Sequence, residues 1–446
     1  MPPIYSFIYL FNPSGDTKII NLFTVGNYYS EPNVPFNDLY KRYHFSIFSP
    51  HLFHFIMELR QIIKVIKNHL THHESFIANE LVKQNPPKWY CKNKKLIYEM
   101  ATPEGADSFH GKLEYTRWEE FPLPKSFKGE SDNPQGGKEM KIEVKNDVFD
   151  YSSPEDNNTV NWYINFADKH VFGYYGGNLF AQDESQCLEH PVLCSLRDYL
   201  VKGDQESCFT TARPILTKDS ISSSFISTPI LVRGVERKVQ VKTDVNKNEK
   251  RPFGLYGNQF AHASPEAIKL ATTIYDKRID PKTGNPYYSN IIAIEAPKHG
   301  HGKYTFNTIK RILATGYSGF LAAKFESLVE KGILERNHEE NQEHTKININ
   351  EEESVPKPRV IIHTGNWGCG AYGGNITIMS CLQIAAAHLA GIDKIVYHAM
   401  GNQDEFNSGL QIYNELIKDV EGDVKIDDFI KNVELKDFQW GLSNGT

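Results

Sequence analysis

The stretch His363–Gly374, HTGNWGCGAYGG, decides the fold, because it carries five glycines between a predicted strand and a predicted helix. The apolar patterns of Arg359–His363 and Ile376–Ala390 predict that strand and that helix. Glycine allows positive φ and leaves no side chain between backbone N–H groups and an anion. Successive amides and the N-terminus of the following helix then form an anion-binding nest. The loop predicts a phosphate site at the carboxyl end of a strand; the alternative is a tight turn that binds nothing.

The glycine spacing and the charge balance narrow the class of ligand. The loop is neither GxxxxGK[ST], the pattern of P-loop NTPases, nor a clean GxGxxG. The chain has 49 basic and 55 acidic residues, a formal net charge of −6. Proteins that coat a nucleic-acid backbone usually carry a basic excess. We therefore expect no direct nucleic-acid binding, and an anionic ligand held by backbone amides.

The six cysteines and the apolar runs indicate the cellular environment in which the protein is expected. No CxxC occurs, so free thiols in a reducing environment are expected. No apolar run approaches the ~18 residues that a membrane helix needs. The early run Ile4–Phe11 is short and predicts an opening strand rather than a signal peptide. We expect no membrane association.

The remaining segments predict alternating strands and helices. Residues 50–83 have helical spacing, and residues 335–357 are charged and predict a mobile acidic loop. The other predicted strands are 141–148, 160–166, 225–231, 237–245, 291–295 and 395–398, and the other predicted helices are 184–200, 266–277, 306–315 and 320–331. This order implies a mixed or parallel sheet covered by helices, with ligands at the carboxyl ends of the strands.

TGNWGCGAYGG, residues 364–374, is very similar to a loop near the C-terminal end of the catalytic domain in poly(ADP-ribose) glycohydrolases. SCLQIAAAHLAGIDKIVYHAMG, residues 380–401, resembles the helix and strand that follow in that family. Weaker agreements are KIEVKNDVFD at 141–150, IIAIEA at 291–296 and GYSGF at 316–320, so the resemblance covers about residues 140–400.

This resemblance implies an α/β fold of the macrodomain type, a three-layer α/β/α sandwich with a mixed sheet. We expect residues 136–446 to form this catalytic domain, with the mobile loop 335–357 inserted. Residues 1–135 are expected to form a mostly helical N-terminal accessory region.

The resemblance also assigns the glycine loop to substrate binding. The binding residues it implies are Thr364, Gly365, Asn366, Trp367, Gly368, Cys369, Gly370, Ala371, Tyr372 and Gly373. Tyr372 is expected against a ribose or base, and Cys369 as a packing residue rather than a nucleophile.

A second segment resembles the family's catalytic loop, which has an FAN tripeptide, a run of glycines and then Gln-Glu-Glu. Here the corresponding residues are Phe166-Ala167-Asp168, then Gly176-Gly177-Asn178, then Gln182-Asp183-Glu184. The match places the catalytic acid/base on Glu184, with Asp183 as its orienting neighbour. It places Gly176, Gly177, Asn178 and Gln182 against the substrate. The alternative for this segment is a plain acidic helix start.

Three departures from the family pattern concern the bond that is cleaved. Asp168 stands where the family has Asn; it either repels the diphosphate or takes over a polar contact or a catalytic role. The spacing from the glycines to Gln182 is compressed, and Tyr174-Tyr175 narrow the cleft. We keep Asp168 with Glu184 and Asp183 as candidate catalytic residues.

The resemblance implies a glycohydrolase that removes ADP-ribose from protein by cleaving the ribosyl C1″ bond, acting on mono- or poly(ADP-ribose). The expected partner is ADP-ribose or ADP-ribosylated protein, and no cofactor or metal is implied. We expect a monomer in the cytoplasm or nucleus; delivery into a host cell, as a bacterial effector, is the alternative. The competing functions are a non-catalytic ADP-ribose reader and an interaction protein that binds no nucleotide.

Two further clusters of polar residues give weaker evidence of a functional site. His69, His72, His73 and Glu74 have a spacing that could suggest a metal site, but a solvated helix end is favoured. The segment 298–303, KHGHGK, either touches the adenosine end of a ligand or an acidic protein, or is a surface loop.

Overall fold

The computed structural model describes residues 7–11, 17–21, 50–127, 140–203, 206–216, 221–275, 288–297, 300–339, 342–348 and 356–443. The chain divides into two compact units, residues 1–68 with 332–356 and residues 69–331 with 357–446. Within the described ranges, no helix is both long and apolar enough to span a lipid bilayer.

Strands and helices alternate along most of the described chain. The strands are β1 (Phe7–Phe11), β2 (Thr17–Asn21), β3 (Leu70–Ile77), β4 (Lys112–Trp118), β5 (Lys141–Lys145), β6 (Thr159–Ala167), β7 (Ala212–Leu216), β8 (Ile221–Ser227), β9 (Ile230–Glu236), β10 (Val239–Val241), β11 (Thr272–Ile274), β12 (Tyr288–Glu295), β13 (Leu334–Glu339), β14 (Gln342–Ile347), β15 (Arg359–Gly365) and β16 (Lys394–His398). The helices are α1 (Pro50–His69), α2 (Ala78–Gln84), α3 (Lys92–Ala101), α4 (Gln182–Glu189), α5 (Val192–Lys202), α6 (Glu206–Phe209), α7 (Gln259–His262), α8 (Pro265–Ala271), α9 (Phe306–Glu330), α10 (Ile376–Ala390), α11 (Gln403–Tyr413) and α12 (Ile426–Leu435).

An eight-stranded sheet forms the centre of the second unit, in the order β3-β4-β9-β12-β6-β15-β16-β5. The five strands from β12 to β5 run parallel, and β3, β4 and β9 add antiparallel pairs at the other edge. Glu295 of β12 pairs with Ala167 of β6, and Gly365 of β15 with His398 of β16. The carboxyl ends of these four strands therefore meet at one edge, where ligands bind in open α/β sheets.

Helices cover both faces of this sheet, since alternate residues of β12 point to different layers. Ile291 and Ala293 belong to a core cluster with Leu193 of α5. The side chains of Ile292 and Ile294 instead lie against Gly319 of α9. This arrangement confirms the predicted α/β/α sandwich with a mixed sheet.

Several predicted elements differ from the observed ones. The helical pattern of residues 50–83 contains strand β3, whose Leu70 pairs with Trp118 of β4. The predicted helix 184–200 is two helices, because His190 and Pro191 interrupt it. The predicted break between 315 and 320 is absent: Gly316 and Gly319 lie inside α9, which uses them for close packing.

Part of the predicted acidic loop is a hairpin. Strands β13 and β14 pair antiparallel, with Leu334 opposite Ile347, and Lys346 contacts Glu335 across the pair at 3.3 Å. Opposite charges on facing residues favour such pairing, which explains why a segment so charged forms strands.

The predicted accessory region contributes to both units. Strands β3 and β4, from before residue 135, extend the central sheet, while the domain boundary at 136 stays a prediction.

The histidine cluster lies mainly on β3 rather than on a helix end, and His73 Nε2 lies 2.9 Å from Glu114.

Candidate active site

The glycine loop leaves β15 at its carboxyl end and closes on itself through four backbone hydrogen bonds, in the first of which the Trp367 amide donates to the Gly365 carbonyl at 2.7 Å. The amides of Cys369, Gly373 and Gly374 donate to the carbonyls of Asn366, Gly370 and Gly368 at 3.0, 3.1 and 2.9 Å. Gly368 and Gly373 have φ of 73° and 66°, values that side chains disfavour. Among the described residues, the amides of Gly368, Gly370 and Ala371 have no acceptor. Three such donors in one short loop suit an anion.

Side chains of the loop hold it to the sheet rather than facing a ligand. Asn366 Nδ2 donates to the Ala399 carbonyl at 3.1 Å, and the Tyr397 hydroxyl donates to Asn366 Oδ1 at 2.9 Å. The Thr364 hydroxyl donates to Gln383 of α10, whose amide donates in turn to the Gly365 carbonyl at 3.2 Å. Trp367 is buried. The loop therefore offers mainly its backbone to a ligand.

The C-terminal segment 437–442, here called the strap, lies along this loop. The Gly441 amide donates to the Gly373 carbonyl at 2.8 Å, and the Trp440 amide donates to the Gly302 carbonyl at 2.9 Å. The Trp440 ring stacks on Tyr304, with centroids 4.3 Å apart and planes 7° apart. The Tyr304 hydroxyl accepts the amide of Asn375, the N-cap of α10.

Because the resemblance implies that this loop binds ADP-ribose, Trp440→Ala is expected to weaken that binding by about tenfold. The substitution removes a ring stack of about 0.5–1.5 kcal/mol that supports Tyr304 and the end of the loop. Calorimetry with ADP-ribose measures the effect, and the melting temperature tests for general unfolding. Leu442→Ala, which truncates a side chain that is 94% exposed, is the matched control. Equal affinity in Trp440→Ala and the wild type would show that the strap does not support the loop.

Gln182 anchors the second candidate segment to the sheet. Its side-chain oxygen accepts the Phe166 amide at 2.8 Å, and its side-chain nitrogen donates to the Ile164 carbonyl at 3.0 Å. Both polar ends of the side chain therefore contact β6. This fixes the first turn of α4, which carries Asp183 and Glu184, beside the end of that strand.

Asp183 and Glu184 form a buried carboxyl pair, 7% and 4% exposed. Asp183 accepts a hydrogen bond from Asn165 Nδ2 at 2.8 Å, and Glu184 Oε2 accepts the Ala181 amide at 3.0 Å. Burial raises the pKa of Asp183 to about 6. Burial and then the charge of Asp183 raise the pKa of Glu184 to about 7. A carboxyl that holds a proton near neutral pH is suited to general acid catalysis.

Asp168 connects the two loops. It follows β6, and its Oδ2 accepts the Tyr372 hydroxyl of the glycine loop at 2.8 Å. Its Oδ1 accepts the His170 amide at 3.2 Å. Burial and then Asp168 raise the pKa of Tyr372, so this tyrosine remains a donor. The predicted catalytic and binding segments therefore lie next to each other.

The turn Gly176–Asn178 is flanked by Tyr175 and Leu179, whose carbonyls accept hydrogen bonds from Lys94 Nζ. Phe180 exchanges backbone hydrogen bonds with Gly257 at 3.2 and 2.9 Å, which holds Tyr256 beside α4. Burial and then Glu184 raise the pKa of Tyr256 to about 12.

Lys94 and Tyr256 are two residues of the site that the sequence does not predict. Both approach Glu184 in the fold, but neither lies in a motif. Lys94 is one of three lysines in the first turn of a helix, and its sequence context does not distinguish it from the other two.

A separate cavity of about 890 Å³ lies between α9, α12 and the segment 120–126. Arg311 and Phe225 line it, with the guanidinium carbon 5.4 Å from the ring centroid. None of the predicted site residues line this cavity.

Comparison with known families gives the class of the site. Residues 256–407 match the family described as poly(ADP-ribose) glycohydrolase, macro domain fold. This part of the chain is therefore similar to the macrodomain of poly(ADP-ribose) glycohydrolases. The matched residues include the glycine loop and the helix after it, in agreement with the predicted glycohydrolase class, while the segment 166–184 lies outside the match.

Similar solved structures include two bacterial poly(ADP-ribose) glycohydrolases. The enzyme from Thermomonospora curvata is 12% identical, covers 90% of this chain and 93% of its own, and has a TM-score of 0.31. The enzyme from Deinococcus radiodurans, in complex with ADP-ribose, is 9% identical, covers 78% and 94%, and has a TM-score of 0.30. No curated protein matches the chain.

Proposed function

We propose that Glu184 is the acid/base of this ADP-ribosyl glycohydrolase and that ADP-ribosylated protein is its substrate. The observation that supports this assignment is the burial of Glu184 beside Asp183, which keeps a proton on the carboxyl near neutral pH. The amides of Gly368, Gly370 and Ala371 are available to hold a diphosphate nearby.

The proposed reaction breaks the bond between C1″ of the ribose and the leaving oxygen. Glu184 gives its proton to that oxygen as the bond breaks, and the ribose passes through an oxocarbenium-like state. The resulting carboxylate then takes a proton from water, which attacks C1″ and regenerates the acid. Asp183, held by Asn165, stabilises the developing positive charge. A diphosphate held by the glycine loop fixes the ribose, so positioning supplies much of the rate.

Asp168 is proposed to act on position rather than on protons. Its hydrogen bond with the Tyr372 hydroxyl joins the end of β6 to the glycine loop. The carboxylate can then contact a ribose hydroxyl while Tyr372 lies against the sugar.

Mono-ADP-ribosylated protein is the proposed substrate in preference to long poly(ADP-ribose). Tyr174, 60% exposed, stands beside the glycines of the compressed catalytic segment. A large side chain at that place narrows the path that a further ADP-ribose unit would follow.

The full chain should be tested with mono- and poly(ADP-ribosyl)ated protein, together with calorimetry on ADP-ribose. Release of ADP-ribose is expected from both, and faster from the mono-modified protein. Binding of ADP-ribose without release would identify a reader instead, and absence of binding would favour an interaction protein.

The rate of release is expected to fall as the pH rises above about 7. Glu184 must carry its proton to act as the acid, and its pKa is raised to about 7 by burial and by Asp183. Above that pH the protonated fraction drops tenfold per unit, and so does kcat. A pH profile of kcat between 5 and 9 measures this. A flat profile up to pH 9 would contradict the assignment of the acid.

A further inference from the structure

Lys94 is a fully buried lysine in helix α3, which belongs to the predicted accessory region. Its side chain is 0% exposed. Nζ donates to the carbonyls of Tyr175 at 2.8 Å and Leu179 at 2.6 Å. These two carbonyls bracket the turn 176–178, so a single ammonium group joins both ends of the turn.

The segment before Lys94 holds the same turn. The amides of Tyr90 and Cys91 both donate to the Gly176 carbonyl, at 2.9 and 3.0 Å. A Cβ on Gly176 would lie 2.3 Å from the carbonyl oxygen of Lys88, so only glycine fits against this segment. Residues 88–94 therefore hold the turn 176–178 through both backbone and side-chain contacts.

The placement of Lys94 is unfavourable for helix α3 and for the charge itself. A cation in the first turn opposes the helix dipole, and α3 has no acidic residue there. Burial of an ammonium also costs free energy unless partners compensate. Two carbonyls and the nearby Glu184 supply that compensation, and burial lowers the pKa of Lys94 while Glu184 raises it.

We propose that Lys94 is a positioning residue for hydrolysis, whose ammonium group fixes the 175–179 turn and faces the Glu184 carboxylate once its proton has left. This inference rests on the proposed role of Glu184. The titratable groups that face Lys94 are Glu184, Cys91, Cys187 and Cys194, and those that face Glu184 are Asp183, Lys94, Cys187 and Tyr256. Lys94 is the cation among the groups that act on Glu184, so its removal affects the acid directly.

Lys94→Met is expected to lower kcat for ADP-ribose release by about 10²-fold, because small displacements of a catalytic group cost that much. The dissociation constant for ADP-ribose should change far less, because the glycine loop keeps its own contacts. The basic limb of the pH profile should move to higher pH, since Lys94 lowers the pKa of Glu184. Lys94→Arg keeps the positive charge. The basic limb should therefore lie at its wild-type pH, while kcat recovers only in part.

Lys95→Met is the matched control: Lys95 is the next residue, is 61% exposed and pairs with Glu99. Its kinetics should equal those of the wild type. The inference would be overturned if Lys94→Met folds, as judged by its melting temperature, and keeps kcat within twofold of the wild-type value. A reduced kcat with an unmoved basic limb would overturn it too, because it indicates a structural role only.

If Lys94→Met does not fold, Lys94→Arg decides the matter. A lowered kcat with the limb in place supports the inference, and a full kcat refutes it. Failure of the proposed function is distinguishable, because Glu184→Gln would then release ADP-ribose as fast as the wild type. If Glu184→Gln is inactive and Lys94→Met is fully active, only the inference about Lys94 is refuted.

Discussion

Glu184→Gln is expected to lower kcat for ADP-ribose release by about 10²–10⁴-fold, the range typical of a lost general acid/base. The amide cannot give a proton to the leaving oxygen or take one from water. The fold should survive, because the amide oxygen can still accept the Ala181 backbone hydrogen bond that Glu184 accepts now. Single-turnover release from mono-ADP-ribosylated protein measures the loss.

Binding separates this loss from damage to the site. The dissociation constant of ADP-ribose for Glu184→Gln should stay within a few fold of the wild-type value, because the glycine loop is unchanged. Glu99→Gln is the matched control, since it changes a carboxylate that is 60% exposed on α3. If Glu184→Gln retained full turnover, the acid would have to be sought at Asp183 or Asp168.

The parts of the site that the sequence predicted are those whose chemistry is local. Five glycines after an apolar strand imply exposed amides without any knowledge of the fold. Gln182, Asp183 and Glu184 were recognised because they adjoin one another in a pattern that the family shares. In such segments the neighbours along the chain already determine the geometry.

The parts that the sequence did not predict depend on residues far apart in the chain. Tyr372 and Asp168 are 204 residues apart, and Lys94 lies 85 residues before Leu179. Lys92, Lys94 and Lys95 look alike in a sequence, and only packing buries the middle one. The strap has no motif, because its contacts are mostly backbone hydrogen bonds that any residue can make.

Gly316 and Gly319 are a second case in which residues far apart in the chain determine the structure. In the sequence they predicted the end of a helix, since glycine disfavours helix interiors. In α9 they allow close approach instead: a Cβ on Gly319 would lie 2.8 Å from Ile294, and one on Gly316 would lie 3.1 Å from Ala386. Packing against the sheet and α10 outweighs a propensity of about 1 kcal/mol per glycine.

Gly368→Val is expected to weaken ADP-ribose binding by about 10²-fold or more. Gly368 has φ of 73°, and a Cβ there would lie 2.9 Å from Cδ of Pro297. A β-branched residue cannot keep this backbone, so the loop must shift and carry the amides of Gly368 and Gly370 with it. Each hydrogen bond to a charged group contributes about 1.5–3 kcal/mol, and the loss of one or two gives the stated factor.

The effect of backbone strain must be separated from the loss of the amides that bind the anion. The variant Gly105→Val is the control for strain. Gly105 has a similar φ of 59°, but a Cβ there meets nothing within 4 Å. Both variants should lower the melting temperature, because left-handed backbone costs a side chain about 1–2 kcal/mol. Only Gly368→Val should lose affinity in calorimetry with ADP-ribose. An unchanged affinity in Gly368→Val would mean that the loop does not hold the diphosphate, and the ligand would then have to be placed elsewhere on the sheet edge.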